Sequence, residues 1–165
     1  MSKNKFIGLD CGASKILSQA AKFDYELDLV IPFGKTIEEE YSTNLDWNKN
    51  FKPLAIKTQL EEFHNQKIKL TPEEISQGNV ILNLINKFLE KFNEKKVSIC
   101  YPGLKSKKGV PIMVNGPRIP NLIESLNYLE NFYNDSDCCT IGEWKSSIGK
   151  MINIKNGIYL GGGTG

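Results

Sequence analysis

Histidine is nearly absent from this sequence: His64 is the single example among 165 residues, and it lies in a polar stretch. One imidazole has no second histidine with which to share a metal ion or to complete a hydrolytic triad. We therefore expect no histidine-based metal site or triad, and we expect His64 to be exposed at the surface.

Charge of one sign is also lacking, because 21 basic and 19 acidic residues leave a net charge of only +2. A chain this close to neutrality has no overall field that would attract nucleic acid or an anionic membrane. We expect neither as a partner, and any anion that the protein binds must be held by local groups.

The first 30 residues contain no long apolar run beside a cleavage site, and the four cysteines show no CxxC spacing. A reducing cytoplasm is the simplest location for such a chain. The adjacent Cys138 and Cys139 are compatible with a reactive thiol pair, but reactivity requires an electropositive, exposed setting. We expect two buried small side chains instead.

What is present is an ordinary globular composition, with 40% hydrophobic and 24% charged residues. The length is enough for one domain, or for one and a fraction. Short apolar segments separated by turn residues predict strands at 5–10, 15–21 and 26–33, whereas the polar stretch 35–57 has no clear pattern. The chain therefore opens with a strand, turn, strand unit.

A long helix is predicted to begin at Thr71, a good N-cap, followed by Pro72 at the first helical position. Glu73 and Glu74 complement the positive end of its dipole. Apolar residues recur with helical spacing as far as Phe92, and an apolar strand follows directly. A helix-strand unit after an antiparallel opening predicts a mixed α/β fold.

The last third of the chain is less regular. Residues 122–132 fit either a helix or a strand, 138–147 fit a helix, and 157–160 fit a strand that runs into the glycine-rich 161–165. Four glycines in five residues cost backbone entropy, which a second phosphate-facing loop would explain; a flexible end is the alternative.

The turn between the first two predicted strands is a candidate for phosphate binding. It is neither a Walker A loop nor a GxGxxG turn, because both of those lead into a helix. A tight turn exposes successive backbone amides, and a glycine lets a phosphate approach closely, so Gly12, Ala13, Ser14 and Lys15 form a candidate cradle. Asp10, at the strand end, is suited to hold Mg²⁺ through water. The alternative is a plain hairpin with a surface aspartate.

These segments resemble the ROK-type sugar kinases (repressor, open reading frame, kinase), ATP-dependent enzymes of the actin/hexokinase-like class. The resemblance rests on five matches in the family's order: Asp10 to Lys15 with its Asp-x-Gly-Gly-Thr-Lys hairpin, 97–104 with its strand ending in Pro-Gly, Pro120-Asn121-Leu122 with its Pro-Asn-Leu element, 134–143 with its Asn-Asp segment, short helix and Gly-Glu, and 157–165 with its phosphate-2 strand and loop. Together they extend along nearly the whole chain.

The resemblance implies an actin-like ATPase (ribonuclease H-like) lobe with a mixed sheet, and a cleft between two lobes that binds a sugar and ATP with Mg²⁺. Residues 1–147 would form the N-terminal lobe and 148–165 the beginning of a truncated second lobe, and a homodimer of the full-length protein is compatible with it. The implied roles are as follows: Asp135 is the catalytic base; Asn134, Gly103 and Asn121 bind the sugar; Asp10, Gly12, Ala13, Ser14, Lys15, Gly163, Thr164 and Gly165 bind the nucleotide; and Asp10 contacts Mg²⁺, most simply through water.

Alternatives remain for several of these assignments. Asn134 and Asp135 can instead form an Asx-turn that caps a helix beginning near Ser136. The lysines at 105, 107 and 108 can bind a phosphate, but a solvated hairpin tip is the simpler interpretation. The family places a helix and a strand between its Pro-Asn-Leu and Asn-Asp elements, whereas only 122–133 is available here.

Two other functions compete with the kinase. The family's sugar-sensing repressors keep the sugar site but carry an N-terminal helix-turn-helix, whereas the first strand here begins near residue 5. A degenerate ATP-binding interaction protein would not need to keep Asp10 and Asp135. If the second lobe is missing, we expect this fragment to bind ATP weakly and to turn over little.

Overall fold

The computed structural model describes residues 4–92, 96–127 and 129–160. Within these ranges lie five strands and three α-helices. In chain order they are β1 (Lys5–Cys11), β2 (Lys15–Asp24), β3 (Leu29–Glu40), a 3₁₀ turn (Tyr41–Thr43), α1 (Ile56–His64), α2 (Pro72–Phe92), β4 (Val97–Tyr101), β5 (Leu129–Asn134) and α3 (Asp135–Lys145). No helix of the described ranges is both long and apolar enough to cross a membrane.

The strands form one mixed sheet in the order β3-β2-β1-β4-β5. The pairs β1/β2 and β2/β3 are antiparallel, whereas β1/β4 and β4/β5 are parallel. The predicted mixed α/β fold, with antiparallel opening strands followed by a helix-strand unit, is therefore confirmed. The carboxyl ends of β1, β4 and β5 meet at one edge of the sheet.

The core lies on the face of the sheet that α2 covers. Alternate side chains of β1 and β4 point to this face, and Ile7 and Leu9 are Cα partners of Val97 and Ile99. All four are buried in one cluster with the apolar stripe of α2, whose buried members are Ile81, Ile85, Phe88 and Leu89. The apolar periodicity of the sequence thus sets which face of each element is buried.

The predicted start of α2 is confirmed. The hydroxyl oxygen of Thr71 accepts a hydrogen bond from the Glu74 amide at 3.1 Å, and the Glu74 carboxylate accepts one from the Thr71 amide at 3.2 Å. This reciprocal pair is a capping box, which satisfies two backbone donors at the helix terminus.

The described residues between β4 and β5, 102–127, contain no helix. This segment folds back on itself through isolated bridges between Leu104 and Ile112 and between Val110 and Ile119. Arg118 anchors it from inside: its guanidinium is bound by both oxygens of Glu74 at 2.8 and 2.9 Å and by Glu62 at 2.6 Å. This buried ionic cluster connects the segment to α1 and α2.

The structure corrects several boundaries. The third strand begins at Leu29 rather than 26, because the Asp24 carboxylate accepts hydrogen bonds from the Glu26 and Leu27 amides and fixes a turn there. It continues through Pro32 to Glu40, which is tolerated because β3 is an edge strand. The unassigned region also contains α1, whose residues are mostly polar and whose one buried residue is Gln59.

Two predictions for the last third were wrong or incomplete. Residues 157–160 do not form a strand: Ile158 is 86% exposed and Leu160 is 88% exposed, and no strand of the described ranges pairs with them. The ambiguous 122–132 is resolved as turns followed by β5, so a strand does lead directly into Asn134. His64 is exposed at the end of α1, as predicted.

Candidate active site

A cleft of about 480 Å³ opens at the edge where the parallel strands end. Three of the segments singled out from the sequence reach it: the β1–β2 turn with Gly12 and Ala13, the end of β4 with Gly103, and the start of α3 with Asn134 and Asp135. They come from positions more than 120 residues apart in the chain. The parallel pairing of β1, β4 and β5 brings them together.

The β1–β2 turn borders the cleft with Gly12 and Ala13, whereas Ser14 is not among the lining residues. The Gly12 amide is used within the turn, because it donates to the Lys15 carbonyl at 3.0 Å. Ala13 and Ser14 are exposed, and in the described part of the chain their amides have no acceptor. If the turn binds a phosphate, these two amides are therefore its donors.

The backbone conformation and the close packing at position 103 require a glycine. Its φ of +92° is unfavourable for residues with a side chain, and a Cβ there would lie 2.6 Å from the Ile112 carbonyl oxygen and 2.8 Å from a Val110 methyl. Its carbonyl accepts a hydrogen bond from the side-chain amide of Asn134 at 3.3 Å. The Pro-Gly loop and the start of α3 are thus held together beside the cleft.

Asn134 is the N-cap of α3, since its side-chain oxygen accepts a hydrogen bond from the Ser136 amide at 3.0 Å. One carboxylate oxygen of Asp135 accepts from the same amide at 2.8 Å. The other has no hydrogen-bond donor among the described residues. The capping interpretation is therefore correct, and it leaves one oxygen of Asp135 available at the cleft.

Other predicted site residues lie elsewhere. Asn121 does not line the cleft; it is exposed and donates to the Ser125 hydroxyl at 3.0 Å. Lys15 is paired with Glu38 at 3.0 Å. Gly163, Thr164 and Gly165 fall outside the described residues.

Asp10 is separated from the cleft by the pleat of β1. Its neighbours Leu9 and Cys11 point to the core face, so the Asp10 side chain points to the opposite face. There it accepts a hydrogen bond from the Cys100 thiol at 3.3 Å and borders a shallow groove of about 900 Å³. Burial, and then the Asp10 charge, raise the pKa of that thiol.

The cleft also contains residues that the sequence analysis did not single out. Tyr101, at the end of β4, and Met113 form part of its floor, and Cys139 and Tyr159 lie along its wall. Cys139 is exposed and stands one helical turn after Asp135, and Cys138 is half-buried, so the prediction that both are buried was wrong. The reason is that α3 buries none of its residues. Side chains alternate along β4, so Tyr101 lies on the core face with Val97 and Ile99, and the sequence could have predicted this.

Asp135 is the one charged side chain among the described residues that line the cleft. Two of the nearby lysines have other partners: Lys105 lies over the Phe132 ring at 5.7 Å, and Lys108 pairs with Glu124 at 3.4 Å. The prediction of a solvated tip for the three lysines holds for Lys107 and Lys108, which are exposed, but not for Lys105, which is half-buried.

The described residues contain no group of three or more His, Cys, Asp or Glu side chains arranged to hold a metal ion. Asp10 is a single carboxylate on the face away from the cleft. Magnesium commonly binds to one or two carboxylates together with substrate phosphates and water. The absence of a larger group does not test such a site; Asp135 is the one carboxylate among the described cleft-lining residues, and the contact of Asp10 with Mg²⁺ stays a prediction.

The sequence matches no known protein family profile and no curated protein. Among solved structures, the chain is similar to a Cytophaga hutchinsonii protein described as a "putative sugar kinase", with a TM-score of 0.44 and 16% identity. The likeness covers 89% of this chain and 42% of that one, so this chain spans less than half of the neighbour's length. At this score the likeness carries no weight for function.

Proposed function

We propose that this chain forms the ATP-binding, actin-like lobe of a ROK-like sugar kinase, which transfers the γ-phosphoryl group of ATP to a sugar hydroxyl. Residues 1–147 would form that lobe and 148–165 the beginning of a second one. The observation that carries the proposal is that the β1–β2 turn and Asp135 line the same cleft.

Phosphoryl transfer from ATP depends mainly on positioning and on neutralising charge, with a carboxylate to accept the proton of the attacking hydroxyl. The free oxygen of Asp135 supplies that carboxylate. Its other oxygen accepts hydrogen bonds from the Ser136 amide at 2.8 Å and from the Ser136 hydroxyl at 3.4 Å, which orient the carboxylate.

In this proposal the phosphates lie against the turn, and the sugar lies in the cleft beside the hydrogen-bonded pair Gly103 and Asn134. The amides of Ala13 and Ser14 are the phosphate donors, because the Gly12 amide is already used. Asn134 links the two parts of the sugar site, since it caps α3 and also donates to the Gly103 carbonyl. Magnesium enters as part of the substrate MgATP, which supplies charge neutralisation on the phosphates.

The experiment is a coupled phosphotransfer assay of the full-length gene product with MgATP and a panel of neutral sugars. The parent should phosphorylate at least one sugar, and Asp135→Asn should lower kcat by about two to four orders of magnitude, the usual effect of removing a general base. Asp137→Asn, in the same first turn of α3 but outside the cleft lining, is the matched control and should retain activity.

If the parent phosphorylates no sugar of the panel, the proposed kinase function is contradicted. The sugar-sensing regulator and the ATP-binding interaction protein then remain. Sugar binding without phosphorylation would favour the regulator. Nucleotide binding alone would favour the interaction protein.

A further inference from the structure

We propose that the phenolic hydroxyl of Tyr101, on the floor of the cleft, is a specificity-determining donor that binds one hydroxyl of the acceptor sugar. This inference rests on the proposed kinase function and deepens it. It assigns a role to a residue of the matched segment 97–104 to which the family resemblance gives none.

Tyr101 belongs to the site by position. It is the last residue of β4, two residues before Gly103, and it is the Cα partner of Asn134 on β5. The residue after that partner is Asp135. Tyr101 thus stands at the point where the two segments proposed to bind the sugar meet.

The hydroxyl of Tyr101 is unusual among the buried polar groups. The residue is only 2% exposed, yet its hydroxyl has no hydrogen bond within the part of the chain that the structure describes. In that same part, no side-chain nitrogen or oxygen sealed from solvent lacks a partner. The Tyr101 hydroxyl is therefore not sealed in the core, and its remaining accessible surface faces the cleft that the residue lines.

A comparison with Tyr41 shows why this matters. Tyr41 is equally buried, but its hydroxyl is satisfied by the Gly12 carbonyl at 3.1 Å. A buried tyrosine hydroxyl ordinarily finds such a partner, because an unmade hydrogen bond there costs stability. At Tyr101 a phenylalanine would fill the same space without that cost, so the hydroxyl is explained by a partner that enters the cleft.

The chemistry of the partner follows from the donor and its surroundings. Burial raises the pKa of Tyr101, so the phenol stays protonated and donates a hydrogen bond. No cation lines the described cleft, which disfavours a sugar phosphate or sugar acid at this point. The group bound by Tyr101 is therefore a neutral hydroxyl oxygen of the acceptor.

The test compares the parent with Tyr101→Phe in the full-length gene product, with aldohexoses and then their monodeoxy analogues as acceptors. Loss of one hydrogen bond should raise the acceptor KM by about threefold to tenfold, with kcat and the ATP KM unchanged. The deoxy analogue that lacks the bound hydroxyl should show the same rise against the parent and no further rise against Tyr101→Phe. Tyr25→Phe, at an exposed turn, is the matched control.

The outcomes separate the two proposals. If the parent phosphorylates a sugar but Tyr101→Phe has the parent's acceptor KM, the specificity role is overturned and the kinase stands. If Tyr101→Phe raises the KM equally for every deoxy analogue, or lowers the unfolding midpoint and raises both KM values, the residue acts through packing and the inference fails. If the parent phosphorylates nothing, the kinase fails and this inference with it.

Discussion

The hydroxyl of Tyr41 donates a 3.1 Å hydrogen bond to the carbonyl of Gly12, and the Tyr41 backbone amide donates to the Ser14 carbonyl at 2.9 Å. A fully buried residue just after β3 thus holds the turn between β1 and β2 from both sides. The Tyr41 ring packs against Trp47 at a centroid distance of 5.0 Å, which fixes the hydroxyl further. The candidate phosphate-binding turn is rigid for this reason.

Replacing Tyr41 with phenylalanine should loosen the turn. Loss of the hydrogen bond to Gly12 should lower the free energy of unfolding by about 1 kcal/mol, measured by urea denaturation. Under the proposed function the ATP KM should rise while the sugar KM stays near that of the parent. Tyr133→Phe, whose ring is exposed on the other face of the sheet, is the control. A variant with unchanged stability and an unchanged ATP KM would show that the turn does not depend on this contact.

Two glycines in the site should respond differently to alanine. Gly103→Ala places a Cβ 2.6 Å from a backbone oxygen at a φ of +92°, so we expect a loss of at least about 2 kcal/mol of stability in denaturation experiments.

At Gly12 the nearest atom to an added Cβ is 3.7 Å away, and the backbone is not in the left-handed region. Gly12→Ala should therefore change the unfolding free energy by no more than about 0.5 kcal/mol while weakening MgATP binding, measured by calorimetry. A Gly12→Ala protein that binds MgATP like the parent would argue against a phosphate at this turn.

The buried ionic cluster should be essential for stability. Arg118→Met leaves the Glu74 carboxylate buried without its partner, and removing one side of such a pair costs about 3 to 5 kcal/mol. Lys108→Met removes an exposed pair with Glu124 and should cost less than about 1 kcal/mol. Equal losses in the two variants, measured by urea denaturation, would contradict a special role for Arg118.

The same cluster predicts acid sensitivity. The hydrogen bond from Arg118 lowers the pKa of Glu62; burial alone would raise the pKa of Glu74, but hydrogen bonds from Arg118 and Thr71 outweigh it and lower that pKa as well. A lowered pKa in the folded state means that the unfolded state binds more protons below the ordinary value of 4.5. The stabilisation is thus complete above pH 4.5 and is lost as the pH falls through the lowered folded pKa.

Urea unfolding from neutral pH to below 4.5 measures this effect. Glu74→Gln removes one of the titrating groups, so its unfolding free energy should be lower than that of the parent at neutral pH and should fall less steeply in acid. Parallel curves for the two proteins would exclude Glu74 as a source of the acid response.

Local patterns in the sequence predicted several parts of the fold well. The start of α2 was predictable because Thr71, Pro72 and Glu74 act within one helical turn. The segment that became α1 was missed because its polar composition hides its one inward-facing residue, Gln59, whose side chain bonds the Met113 backbone at 2.8 and 2.9 Å. A contact 54 residues away leaves no local pattern.

The residues of the candidate site likewise divide into those that the sequence indicated and those that it did not. Asp10 and Gly12 stood out because their residue types and spacing suit phosphate chemistry, whereas the role of Asp135 was implied only by the family resemblance. Tyr101 did not stand out, because a tyrosine at the end of an apolar strand looks like an ordinary core residue until its hydroxyl is seen without a partner. The alternation along β1 already separates Asp10 from its core-facing neighbours, so its position away from the cleft follows from the strand period.

By itself the sequence determined the opening hairpin of β1 and β2, the helix-strand unit of α2 and β4, and the buried face of α2, because these depend on periodicity and on caps between near neighbours. Only the tertiary structure decided that the turn at Gly12, the loop at Gly103 and the carboxylate of Asp135 share one cleft, and that Asn121 lies outside it. The reason is that the order and direction of β1, β4 and β5 arise from pairings between distant segments, which no local pattern encodes.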